Sequence, residues 1–69
     1  MKKFRSEKLW KARQDSGLSI REVVKLLRER GISISPTSLS LYERRGGIRV
    51  ELLAILADIY GVDICEFFS

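Results

Sequence analysis

A chain of 69 residues with 45% apolar and 32% charged side chains is one globular domain rather than a disordered segment. At this length folding buries only roughly 60% of the surface that the unfolded chain exposes. One cysteine, Cys65, and no histidine exclude an internal disulfide and leave no ligand set for a structural zinc site. The net charge of +4 is unevenly spread: residues 1–30 hold ten Lys/Arg against four Asp/Glu, and residues 31–69 hold three against five. A basic half on so small a domain suggests a polyanionic partner, with a surface kept soluble by charge as the alternative.

Taken in order, the first predicted helix runs from about residue 5 to Asp15 or Ser16. Leu9, Ala12, Arg13 and Ser16 share one face, and Gly17 stands where a left-handed terminator belongs. Ser19 and Glu22 have the spacing of a capping box, with Leu18 and Val23 as its hydrophobic staple. The second helix then runs to about Arg30, burying Val23, Val24 and Leu27, and Gly31 ends it. Arg21, Lys25, Arg28 and Arg30 leave it basic. Ile32-Ser33-Ile34 alternates too briefly for a sheet strand and reads as an extended connector.

Ser35 and Pro36 start the third helix, a cap followed by the residue that wastes no N–H at the first helical position. Ile34 and Leu39 form a second staple. Leu39 and Tyr42 fall on one face, and the Gly46-Gly47 pair breaks the helix after about residue 44 or 45. A fourth helix, about Val50 to Tyr60, has no good cap and ends at Gly61. Leu53, Leu56, Ala57 and Tyr60 make its core face, and Leu52, Ile55 and Ile59 make a second apolar face. Asp63 and Glu66 repeat the capping-box spacing for a short fifth helix, with Val62 and Phe67 as its staple. The expected fold is all-α: a compact five-helix domain over residues 1–69, with no sheet.

Arg13, Gly17-Leu18-Ser19, Val23-Val24, Ser38-Leu39-Ser40-Leu41-Tyr42-Glu43, Leu56-Ala57 and Tyr60-Gly61-Val62, in this order and spacing, resemble the phage-repressor/Cro-like helix-turn-helix family, also called the xenobiotic-response-element family. The resemblance covers about residues 5–68. It implies a lambda-repressor-like domain whose second and third helices form the DNA-reading unit. It also implies an internal ion pair between Arg13 and Glu43. The residues agree with such a pair, because both charges occupy core-facing positions where a lone charge would be costly. The alternative is that both are exposed.

Three positions depart from the family pattern. Ile20 stands where the family usually has a glutamine that touches phosphate. Arg28-Glu29-Arg30-Gly31-Ile32 add about five residues to the turn between helices two and three. Arg45 occupies the place of the glycine expected two residues after Glu43. The first departure bears on phosphate binding, the others on loop geometry.

The resemblance makes double-stranded DNA the expected partner and a transcriptional regulator the expected function. Phosphates would be met at the N-termini of helices two and three (Ser19, Ile20, Ser35) and by Arg21, Arg44, Arg45 and Arg49. Lys2, Lys3, Lys8 and Lys11 read as solvated charge or as a basic N-terminal arm. Bases would be met by Pro36, Thr37, Ser38, Ser40 and Leu41. Arg, Gln and Asn, the residues of bidentate base pairing, are absent from those positions, so specificity is expected to be shared with DNA shape and dimer spacing. Ser38 has a helix-start role as its alternative, and Leu41 has partial burial.

The second apolar face of helix four (Leu52, Ile55, Ile59) with Phe67 and Phe68 suggests a homodimer. Alternatively the aromatics close the monomer core. A competing function is a protein-interaction module on the same fold, antitoxin-like or part of a coactivator. An enzyme is not expected: no histidine, no cysteine–base pair, no metal cluster and no phosphate loop occurs. No motif suggests a cofactor or small-molecule ligand. The basic start lacks a signal-peptide core, and the longest apolar run, Leu52 to Ala57, is too short to span a membrane. A cytoplasmic protein with a reduced thiol is expected.

Overall fold

Capping chemistry at the helix ends decides where the chain turns. In the computed structural model, which describes residues 3–68, four α-helices follow one another: α1 (Ser6–Ser16), α2 (Ile20–Glu29), α3 (Pro36–Arg45) and α4 (Val50–Tyr60). Lys2, assigned from sequence to the basic N-terminal group, lies outside the described residues. Gly17 closes α1 with φ 75°, a conformation that costs glycine nothing. The α2 box is complete: the Glu22 N–H donates to Ser19 Oγ at 3.1 Å, and the Ser19 N–H donates to Glu22 Oε1 at 2.9 Å. At α3 the Ser38 N–H donates to Ser35 Oγ at 3.1 Å, with Pro36 at the first helical position. Neither α1 nor α4 has a side-chain cap at its start.

The expectation of five helices is corrected to four. The chain after Asp63 forms a single 3-10 turn, Ile64–Phe67. Its bonds are i to i+3 in type, Glu66 N–H to the Asp63 carbonyl at 2.9 Å and Phe68 N–H to the Cys65 carbonyl at 3.1 Å. Four residues cannot repay the cost of nucleating an α-helix, whereas a capped 3-10 turn closes in that length. The expected Asp63–Glu66 capping box is present around this turn. No strand occurs among the described residues; Phe4 and Phe68 form one isolated antiparallel bridge.

α3 packs against both α1 and α2, which puts its inner face at the centre of the molecule. The core is Leu9 of α1; Val23, Val24 and Leu27 of α2; Leu39 of α3; Leu53, Leu56, Ala57 and Tyr60 of α4; and Phe67. Burying a side chain such as Leu or Phe contributes about 1.5–3 kcal/mol, so these few residues supply most of the drive to fold. Ile32 and Ile34 of the connector are half-buried against this core, as are Leu52, Ile55 and Ile59 of α4. Outside the core, Arg30 Nη1 donates to Asp58 Oδ2 at 2.6 Å, joining the end of α2 to α4. That pair is exposed, and such pairs contribute about 0–1 kcal/mol.

Candidate nucleic-acid interface

The N-terminal end of α3 stands at the surface. Pro36 and Thr37 are exposed, Ser38 is half-buried, and Leu39 points inward and is fully buried. Ser35 Oγ both accepts from the Ser38 N–H and donates to Ser38 Oγ at 3.0 Å. The Ser35 oxygen thus caps the helix, and the Ser38 hydroxyl meets the Ser35 hydroxyl at the helix start. With Leu39 and Glu43 facing inward, Thr37, Leu41, Arg44 and Arg45 form the exposed side of the helix, and Ser40 is half-buried beside them. Leu41 is 36% exposed.

The first turns of α2 and α3 differ in charge. α3 has no acidic residue there, so the partial positive charge of its N-terminus is uncompensated. α2 carries Glu22, whose carboxylate bonds the Ser19 N–H. This bond holds the Glu22 carboxyl below its ordinary value of 4.5. A fixed negative charge at the α2 terminus competes with any incoming phosphate. Ser19 spends its oxygen on the cap, and the Ile20 side chain packs against the core, leaving a backbone N–H as all that Ile20 can offer an anion. Of the two helix starts, that of α3 is the better anion site.

Basic side chains reinforce that difference. Arg21, Val24, Lys25, Arg28 and Pro36 line one shallow groove between α2 and the start of α3. Arg21, Lys25 and Arg28 are exposed, and none forms an ion pair among the described residues. Lys25 and Arg28 were not among the phosphate candidates chosen from sequence. The signal was present in the spacing of Arg21, Lys25 and Arg28, which is one helical stripe. What sequence did not reveal is that the connector returns Pro36 to the foot of that stripe.

Arg44 and Arg45 sit at the other end of α3, about 14 Å along the axis at 1.5 Å per residue. Arg49 is exposed at the start of α4, in a groove with Ile32, Ser33, Ile34, Tyr42, Glu51, Leu52 and Ile55 that none of the other phosphate candidates lines. The basic phosphate candidates therefore stand on three elements: Arg21 on α2, Arg44 and Arg45 at the end of α3, and Arg49 at the start of α4. Lys3, Lys8 and Lys11 are exposed on or before α1; Lys8 and Lys11 line a different groove, with Tyr60 and Glu66.

The inner side of α3 is fixed by charge as well as by Leu39. Arg13 Nε donates to Glu43 Oε2 at 2.7 Å and Nη2 donates to Oε1 at 3.1 Å, both side chains being buried. The hydrogen bond to Glu43 raises the Arg13 pKa further, outweighing burial, which lowers it. Tyr60 lies in the field of this pair. Burial, with a smaller contribution from the Glu43 charge, holds its hydroxyl well above the usual phenol range, while Arg13 acts the other way.

One assignment to a dimer surface is corrected. Phe67 is 0% exposed and belongs to the monomer core, because the 3-10 turn swings it inward beneath α1 and α4. Phe68 is half-buried and meets the Phe4 ring edge-on, with centroids 6.0 Å apart. Leu52, Ile55 and Ile59 keep partial exposure. Among the described residues no cluster of three His, Cys, Asp or Glu could hold a metal ion, and no helix is long and apolar enough to cross a membrane. No protein-family model, curated protein or solved structure matches the chain.

Proposed function

We propose that the chain is a sequence-specific, double-stranded DNA-binding transcriptional regulator. In this reading α2 and α3 act as a helix-turn-helix and α3 enters the major groove. The observation that carries it is the exposed, acid-free start of α3 beside Arg21, Lys25 and Arg28, three basic residues on one stripe that lack ion-pair partners among the described residues. Phosphates bound along that stripe would orient Thr37 and Leu41 toward base edges, and Arg44 and Arg45 would hold the backbone beyond. Thr37 offers one hydrogen bond and Leu41 an apolar contact for a thymine methyl, so the reading predicts modest direct selectivity from α3. Two copies acting together would add spacing as a second source of selectivity.

The test is titration of a labelled duplex at several salt concentrations. Affinity should fall steeply with salt, because each neutralised phosphate releases counterion. Arg21→Glu combined with Arg28→Glu should abolish binding while leaving the helical circular dichroism unchanged. Absence of binding at low salt defeats the proposal, and equal competition by random and selected duplexes defeats its sequence-specific part. The absence of Arg, Gln and Asn from the positions of Pro36, Thr37, Ser38, Ser40 and Leu41 favours one competitor, a protein-interaction module. That module would show no duplex binding at any salt concentration.

A further inference from the structure

The groove containing Arg49 shares no residue with the Arg21 stripe and has a different character. Its volume is about 420 Å³, and half-buried Ile32, Ile34, Tyr42, Leu52 and Ile55 supply an apolar lining. Arg49 and Glu51 line the same groove, both exposed and neither in an ion pair among the described residues. Between them Val50 is 64% exposed, the highest exposure of any large apolar side chain among the described residues.

We infer that this groove is the docking surface for a second copy of the chain, with Arg49 of each copy paired to Glu51 of the other. The inference rests on the dimeric form of the function proposed above and gives it a surface. Charge complementarity identifies the occupant. In an isologous contact, residue i meets residue j and j meets i. A patch with one cation and one anion two residues apart along the chain is complementary to itself under that operation, and both charges are matched at once. The result is an apolar centre with a charged rim, the usual anatomy of a stable contact.

Three consequences follow for the residues. The interface moves to the N-terminal half of α4, so Leu52 and Ile55 belong to it and Ile59, Phe67 and Phe68 do not. Arg49 leaves the phosphate set and becomes a dimer contact. Tyr42 ties the interface to α3, so the distance between the two α3 helices is set by rigid helices and not by a linker.

The experiment is sedimentation of the full chain without DNA, from about 5 to about 500 µM, a range that spans micromolar to sub-millimolar dissociation constants. The wild-type chain should dimerise. Arg49→Glu and Glu51→Arg should each weaken self-association about ten-fold or more, since each sets like charges against each other twice. An equimolar mixture of the two variants should associate again. The first variant carries only acids at positions 49 and 51 and the second only bases, so each complements the other. Circular dichroism of each variant checks folding, and the mixture reports on the contact even where one variant is less stable. A wild-type chain that stays monomeric, single variants that dimerise like wild type, or a mixture that fails to associate would each overturn the assignment. Duplex titration separates this from the functional reading. A monomer that binds DNA overturns the groove alone, and a dimer that binds none overturns DNA recognition alone.

Discussion

Arg13 grips both carboxylate oxygens of Glu43, a residue thirty positions later, and its third nitrogen donates to the Leu18 carbonyl at 3.0 Å. All three guanidinium nitrogens are thus used to join α1, the turn after it and α3. Truncating one partner strands the other charge in the interior. Glu43→Ala should therefore cost about 3–5 kcal/mol, read from urea denaturation. Replacing both, Arg13→Met with Glu43→Leu, should cost much less than the two single changes summed. A Glu43→Ala loss below about 1 kcal/mol would show that the pair contributes little to stability.

Tyr60 presents the opposite case. Its hydroxyl is buried and has no hydrogen-bond partner in the protein among the described residues. Deleting an unsatisfied buried group removes a desolvation cost without removing a bond. Tyr60→Phe should raise stability by about 1 kcal/mol. A lower melting temperature for that variant would mean that the hydroxyl makes a bond the protein needs.

Gly46 connects the end of α3 to Phe4. Its φ is 80°, and a Cβ built there would lie 3.3 Å from Phe4 Cε2. Gly46→Ala combines backbone strain with a displaced aromatic ring and should cost about 1–3 kcal/mol. Gly47→Ala shares the positive φ but meets nothing within 4 Å, so its loss should be the smaller of the two. Equal losses would show that the Phe4 contact is unimportant.

Two exposed capping carboxylates make stability fall in acid. Bonds from backbone N–H groups, of Ser19 to Glu22 and of Cys65 to Asp63, hold these groups below their ordinary values of 4.5 and 3.8. Each is therefore more acidic folded than unfolded. The stability it confers is complete above the ordinary value and is lost as the pH falls through the lower, folded one. Urea midpoints should decline as the pH drops below about 4.5, and Glu22→Gln should flatten part of that decline. An identical slope in the variant would remove Glu22 as a cause.

The helix ends were legible because their signals are local. Ser19 with Glu22, Ser35 with Pro36, and Gly17 each act within four residues, and each stands where sequence placed it. The core faces were legible for a similar reason, since Leu53, Leu56, Ala57 and Tyr60 repeat with the helical period. What could not be read depends on how the connections return the chain. The stripe of Arg21, Lys25 and Arg28 was visible, but its approach to Pro36 depends on the connector at 30–35. Phe67 and Phe68 looked equivalent, yet one turn of 3-10 geometry sends the first into the core and leaves the second half outside.

The bridge between Phe4 and Phe68 closes nearly the whole described chain into a ring, with the Arg5 N–H donating to the Phe67 carbonyl at 2.7 Å. Contacts so distant in sequence carry the largest loop-closure entropy, and that cost falls once the four helices have already docked. A seam that closes last forms after the folding transition state, so weakening it should accelerate opening more than it slows folding. Loss of either ring, as in Phe4→Ala or Phe68→Ala, should therefore shorten the lifetime of the native state more than it slows refolding.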